Sequence, residues 1–370
     1  MIPVCEPTIS GNELKYVMDC IKTNWISSLG PYIPKFEEGF SRYCGAGHGI
    51  ACSNGTAALH LALESLGVGK GDEVIIPDLT MIATMAAVLY CGAKPVFVDA
   101  EEKTWNLDIN KIEEKITDKT KAIIPVHISG HPVDMDKLKT ISKRHNLFVV
   151  EDAAEAHGAE YKGKRVGGLG DAGCFSFFGN KILTTGEGGM IVTSNAKLSE
   201  RCKLLRNQAH SSGKKKFSHE ELGFNYRLTN LQAAVGCAQL ENVDKLVEGR
   251  VKNGKYYTEL LSGVEGLTSP IEESWAKNVY WMYTLLITKR FGVSRNKVID
   301  ELMKRGIQTR PFFVPMHSQP LLNKFGLNTE EKFPVAEKLS EEGIYLPSAS
   351  HLTKEEIETV AKTLISLKSN

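Results

Sequence analysis

The chain predicts an α/β layer fold with a largely parallel central sheet, and two observations carry that prediction. Between about residues 49 and 195, short β-rich runs alternate with amphipathic helical segments, the rhythm of parallel strands joined by crossover helices. Beyond about residue 250 the alternation gives way to a mixture of strands and helices, which predicts a second, smaller α+β unit. The 370 residues, 42% of them hydrophobic, supply enough apolar material for one large core and one smaller one. The expected division is a large domain over 1–248, N-terminal segment included, and a C-terminal α+β domain over 249–370. No internal repeat or flexible linker separates them, so a cleft at their junction is the expected ligand site.

The strands expected of the first domain cover residues 49–53, 73–76, 95–98, 121–127, 147–151, 173–178 and 190–194. Between them, a helix over 56–66 puts Leu59, Leu63 and Leu66 on one face. A second, over 134–145, presents Leu138 and Ile141, and a third, over 196–207, presents Leu198, Cys202 and Leu205. A longer helix over 229–247 leads out of the domain. The C-terminal part predicts a strand over 279–287, a helix over 294–305, a short extended run over 307–310 and a final helix near 354–367.

Composition excludes several function classes. Lys and Arg number 45 against 44 Asp and Glu, so no net field favours nucleic acid or an anionic membrane as partner. The eight cysteines are scattered without a CxxC pair and fall mostly in apolar segments, as expected of reduced, buried thiols in a cytoplasmic protein. Residues 1–7 carry no basic region followed by an apolar run. No stretch approaches the ~18 continuous apolar residues of a membrane span.

In an open parallel sheet, ligands bind beyond the carboxyl ends of the strands, and three motifs fall there or just downstream. Ser53-Asn54-Gly55-Thr56-Ala57-Ala58-Leu59 turns from a strand into a helix, offering free N–H groups, a hydroxyl and a positive helix end to a phosphate. The same residue types are ordinary helix caps, which is the better reading of this motif by itself. Glu151-Asp152-Ala153-Ala154-Glu155-Ala156-His157-Gly158 follows an apolar run, and a carboxylate there either caps a helix or holds a pyridine nitrogen protonated. Lys181 lies 29 residues after Asp152, between Ser176-Phe177-Phe178-Gly179-Asn180 and the turn Thr185-Gly186-Glu187-Gly188-Gly189-Met190. Phosphate cradle, acid and amine, in that order, are the parts that a pyridoxal phosphate (PLP) enzyme requires, with Ser176 a further phosphate contact.

Other patterns are discounted. Gly168-Leu169-Gly170-Asp171-Ala172-Gly173 fits GxGxxG, yet a strand-like run follows it where a dinucleotide fold needs a helix. No pair of His, Cys or carboxylate residues shows metal-ligand spacing on a predictable element, so no metal is expected. Lys214-Lys215-Lys216 reads as a solvated loop, with a flap toward a diphosphate as the less favoured alternative.

At these motifs the chain resembles the DegT-type sugar-nucleotide aminotransferases of PLP fold type I. The resemblance runs from Trp25-Ile26-Ser27-Ser28-Leu29-Gly30-Pro31-Tyr32, through the three motifs, to Asn225-Tyr226-Arg227-Leu228-Thr229-Asn230. Together with Arg310-Pro311-Phe312-Phe313 and Pro315-Met316-His317, the wording is closest to the branch that aminates C4 of GDP-4-keto-6-deoxy-D-mannose. The resemblance implies that Lys181 is the Schiff-base lysine and proton shuttle, and that Asp152 partners the pyridine nitrogen. It implies cofactor phosphate contacts from Gly55, Thr56 and Ser176, with Asn225 reaching in from the other subunit of a homodimer. Glu155 would lie near the cofactor 3′-oxygen, where many relatives carry Gln. Trp25, Ser27, Arg310 and His317 match segments that line the sugar-nucleotide pocket. Met81 stands where relatives usually stack an aromatic on the pyridine ring, which implies weaker cofactor retention.

The implied reaction is ping-pong, L-glutamate giving its amino group to the cofactor and pyridoxamine phosphate passing it to the keto sugar. UDP- or dTDP-linked 4-keto or 3-keto sugars are the alternative acceptors. A PLP-dependent sugar dehydratase would be expected to carry His in place of Lys181. A catalytically silent PLP-binding regulator would need a lesion at Asp152, Lys181 or the cradle, and an ordinary α/β protein with capped helices would hold no cofactor at all.

Overall fold

The computed structural model describes residues 1–210 and 219–369, so the lysine run 214–216 lies outside the described residues. In chain order its strands are β1 (His48–Cys52), β2 (Glu73–Pro77), β3 (Lys94–Val98), β4 (Thr120–Ile123), β5 (Phe148–Asp152), β6 (Glu160–Tyr161) and β7 (Lys164–Arg165). These are followed by β8 (Ala172–Ser176), β9 (Gly189–Thr193), β10 (Leu267–Thr268), β11 (Ala276–Lys277), β12 (Tyr283–Ile287), β13 (Arg310–Pro311) and β14 (Gly343–Leu346).

Seven strands form the large sheet, in the order β1-β9-β8-β5-β4-β2-β3. From β3 to β8 the neighbours run parallel, while β9 is inserted antiparallel between β8 and β1. With β9 alone reversed, the carboxyl ends of the other six strands share one edge with the start of β9. Strands β2 and β9 are buried at every position, as helices on both faces require. The helix Gly55–Ser65 is buried continuously from Ala57 to Leu63, so it packs as an inner element rather than an amphipathic cover.

The C-terminal part builds a second sheet, β10-β12-β14-β13, over its own core of Tyr257, Leu285, Phe291, Val298, Ile344 and Val360. The two parts are stitched together. Strand β11 pairs with β6 of the β6–β7 hairpin, and Ile2 exchanges backbone hydrogen bonds with Gly306 and Gln308 while Val4 is buried in the main core. No helix among the described residues is long and apolar enough to cross a membrane.

Three expected elements differ from those observed. The helix expected over 229–247 is two helices, Asn230–Glu241 and Val243–Leu261, broken at Asn242 (φ −115°, ψ 9°), whose backbone N–H donates to Gln239 and whose side chain donates to the Ala238 carbonyl. The strand expected over 279–287 begins only at Tyr283, because Tyr280 is held at φ 46° with its N–H bonded to the Asn278 side chain. The continuous strand expected over 121–127 ends at Ile123, two residues before Pro125, which has no N–H to donate; beyond it Val126 forms only an isolated bridge with Asp152.

Candidate active site

The shared edge of the sheet opens into a cleft of about 820 Å³, closed on its far side by Trp281, Met282, Arg310, Pro311, Phe313 and Tyr345 of the C-terminal part. Ser53 to Ala57, Met81, Asp152, Glu155, Ser176 and Lys181 also line it. Residues 24 apart in sequence meet here because β5 and β8 are parallel neighbours whose ends deliver Asp152 and Ser176 to one edge.

At the end of β1, Asn54 caps the helix Gly55–Ser65 by accepting the Ala57 N–H at 2.8 Å. The N–H groups of Gly55 and Thr56 belong to the set that a helix leaves without internal partners. Gly55 is required by close approach, since a Cβ there would stand 2.7 Å from the Cβ of Ser176. Backbone, hydroxyl and positive helix end thus converge on a volume that any larger residue would fill.

Asp152 is 5% exposed. The Thr84 hydroxyl donates to one of its oxygens at 2.8 Å and the Ala154 N–H to the other at 3.2 Å. Burial pushes its pKa up, opposed by these two hydrogen bonds and by the nearby Lys181 and His127. Glu155 accepts from the Ser129 N–H at 2.8 Å, and burial raises its pKa to about 7 against the pull of Lys181. Lys181 is half-buried, and loss of water lowers its pKa, with Glu155 and then Asp152 acting to retain the charge.

Because Glu155 keeps a proton in the fold that it would release in the unfolded chain near pH 4.3, its stabilising contribution is complete below that pH. It is lost as pH rises through about 7. Glu155→Gln in the cofactor-free protein should gain stability over wild type by on the order of 3 kcal/mol between pH 4.5 and 7.5, read from denaturant midpoints. A difference that stays constant with pH would refute the shift.

The remaining expected site residues fall in different places. Met81 caps the helix Ile82–Tyr90 and stands 47% exposed on the cleft wall. Met81→Phe is expected to tighten PLP binding about 2- to 10-fold, measured by cofactor titration, because an aromatic face stacks better on the ring. Arg310 projects from β13 into the cleft. Trp25, Ser27 and Asn225 are exposed and line no part of it. His317 also stays outside, its ring bonded through Nδ1 to the buried Asp78 at 2.7 Å and packed on Phe333. His157 lies in the core among Phe40, Phe175 and Phe177, where burial lowers its pKa to about 3.

The Gly-rich loop has a local occupant. The N–H groups of Gly167, Leu169 and Gly170 donate to the fully buried Glu151 carboxylate at 2.6–2.7 Å, and His127 Nε2 meets it at 3.1 Å. Val133 donates to His127 Nδ1, which fixes the Nε2–H tautomer. A strand, β8, follows the loop, as expected of a motif that is not a dinucleotide fingerprint.

The expectation that no pair has metal-ligand spacing requires a correction. His60 and Glu64 lie one turn apart on the helix Gly55–Ser65, and with Cys91 they offer ligand atoms within 4.8 Å of one another. In this structure His60 Nε2 faces Glu64 at 3.5 Å and Nδ1 meets the Tyr226 hydroxyl at 3.1 Å. The i,i+4 pair was legible in the sequence once the helix was drawn.

Residues 7–365 match the DegT/DnrJ/EryC1/StrS aminotransferase family. The chain belongs to this family. The aminotransferase is 46% identical to the GDP-perosamine synthase of Caulobacter vibrioides over 364 residues, 98% of this chain and 97% of that one. It is 42% identical to the GDP-perosamine synthase of Escherichia coli O157:H7 over 363 residues, 98% of this chain and 97% of that one. Its fold superposes on the PLP form of the sugar aminotransferase Spr1654 of Streptococcus pneumoniae with a TM-score of 0.92, at 28% identity, covering 99% and 98% of the two chains. The cofactor is PLP. The residues present fit it: a cradle that only Gly55 leaves open, a buried carboxylate at Asp152 and an amine at Lys181 line one cleft. Sequence reasoning missed Trp281, Thr84 and Tyr345 as cleft or site-supporting residues, Trp281 because an aromatic in the strand-like run 279–287 reads as core, and Thr84 and Tyr345 because no motif marks them.

Proposed function

We propose that the aminotransferase moves the amino group of L-glutamate to C4 of GDP-4-keto-6-deoxy-D-mannose, giving GDP-perosamine, and that it works in the cytoplasm as a homodimer. The observation carrying the reading is the meeting of Lys181, Asp152 and the Gly55 cradle in one cleft, in a chain 46% identical to a GDP-perosamine synthase. When bound, PLP supplies an electron sink for the charge left on carbon as a proton departs.

Gly55, Thr56 and Ser176 hold the cofactor phosphate, with Asn225 contributed by the second subunit. Asp152, anchored by Thr84 and the Ala154 N–H, holds a proton on the pyridine nitrogen. Glu155 would face the 3′-oxygen, and Met81 would lie against the ring. Lys181 would hold the cofactor through Nζ and, when free, would be the base that takes up and returns a proton in each half-reaction. Its depressed pKa favours the neutral amine that accepts such a proton. Trp25, Ser27, Arg310 and His317 serve the sugar nucleotide. The chain divides into a large cofactor-binding domain over 1–248 and a smaller α+β domain over 249–370, a reading supported by the separate C-terminal core of Tyr257, Leu285, Phe291 and Val360.

The deciding experiment is a half-reaction. The enzyme is converted to its pyridoxamine form with glutamate, freed of donor and mixed with GDP-4-keto-6-deoxymannose. Return of the lysine-bound cofactor absorbance, with an amino sugar in the mass spectrum, is the expected result. A clean glutamate step without that return would overturn the acceptor and direct the search to UDP- and dTDP-linked keto sugars.

A further inference from the structure

The amine of Lys181 lies over the face of Trp281, 3.8 Å from the ring centroid. Several independent features hold that indole in place. Its Nε1–H donates at 2.9 Å to the carbonyl of Asn180, the residue preceding the lysine, so indole and lysine backbone are tied directly. Its own carbonyl accepts from the buried Arg250 guanidinium at 2.7 Å. Tyr280, just before it, is held at φ 46°, a backbone conformation that a bulky residue adopts only when its surroundings enforce it. Gly254 makes room for the Tyr280 ring, where a Cβ would come within 2.4 Å, and Gly130 leaves space for the Trp281 backbone, where a Cβ would approach to 3.0 Å. Trp281 itself is 4% exposed and meets Tyr345 edge-on.

We propose that Trp281 is a positioning residue for Lys181: its face is the resting place of the amine whenever the lysine is not bonded to the cofactor. The indole keeps Nζ inside the cleft and favours its protonated form, which Lys181 must take up and give back during proton transfer. A desolvated cation over an indole face is favoured by about tenfold in its protonation constant. The titratable groups around the amine are Glu155 and Asp152 from the end of β5 and the turn after it, Cys5 from the N-terminal segment, and His157, whose pKa the lysine helps to lower. None of these is carried by the segment that bears Trp281, so replacing the indole leaves their residues unchanged.

The inference rests on the reading of Lys181 given above. Replacing the lysine tests that reading, whereas Trp281 variants keep the lysine, so the two fail separately. In the full-length enzyme loaded with pyridoxamine phosphate, Lys181 is free, and its carbamylation by cyanate can be followed by peptide mass spectrometry as a function of pH. In Trp281→Leu the rate profile should move about one pH unit lower, reflecting a tenfold loss of protonation, with Trp281→Phe in between. In steady state, Trp281→Leu should lower kcat about tenfold while KM for the amino donor changes less than about threefold, as expected of lost positioning. Profiles of both variants that overlay wild type would overturn the proposal, even if melting temperature or kcat fell, because that is the pattern of a purely structural residue. Should the Leu variant fail to fold, the Phe variant decides by the same profile.

Discussion

Lys181→Ala is expected to lower turnover by about 10⁴-fold or more, because on the proposed reading it removes both the covalent partner of the cofactor and the group that moves the proton. The variant should still retain some PLP noncovalently, since the Gly55 cradle and Asp152 are untouched. Its visible absorbance should then be that of the free aldehyde. The geometry explains why no neighbour substitutes: the other titratable groups near the amine are two carboxylates, a thiol and a core histidine held neutral by burial. Measurable turnover at more than about 1% of wild type, after ruling out wild-type carry-over, would remove Lys181 from its role.

Asp152→Asn should produce the second-largest loss. The carboxylate is anchored at the end of β5 by Thr84 and the Ala154 N–H, and a neutral amide keeps the shape while giving up the charge that, on the proposed reading, holds a proton on the ring nitrogen. Removing one partner of a buried charge pair costs about 3–5 kcal/mol, which is roughly 10²- to 10⁴-fold in rate. Both half-reactions should slow together, because the same electron sink serves both. The check is single-turnover absorbance for glutamate and keto sugar separately. Loss confined to one half-reaction would assign Asp152 to substrate binding instead.

The sheet was legible because its strands are short apolar runs bounded by turn residues, and six of the seven expected segments came out within about two residues of the observed bounds. The seventh, β4, was overdrawn through Pro125. The reversal of β9 was not legible, since a strand buried at every position carries no sign of its direction. The break at Asn242 was hidden for a related reason: the apolar spacing continues across it, and only the side-chain bond back to Ala238 marks the end of the first helix. That Asp152, Lys181 and the turn at Gly55 meet in one cleft was readable from residue type and order, because a strand-end carboxylate, an amine among glycines and a capped helix start each leave a mark in the sequence. Trp281 was not readable. Its importance depends on the positive φ of Tyr280, a property of the packed structure that leaves no compositional trace. Likewise the sequence gives no hint that the His317 ring bonds to the buried Asp78.

The loop 167–170 has a consequence for how chains of this kind are read. Its backbone amides form a berth for an anion, and the chain brings its own permanent tenant in Glu151. That internal occupant locks the end of β5 from beneath, so the residue beside it, Asp152, is mounted on an immobile footing. A glycine pattern that elsewhere receives a diffusible nucleotide here works as masonry, and a scan for such patterns would find the foundation of this active site and mistake it for a doorway.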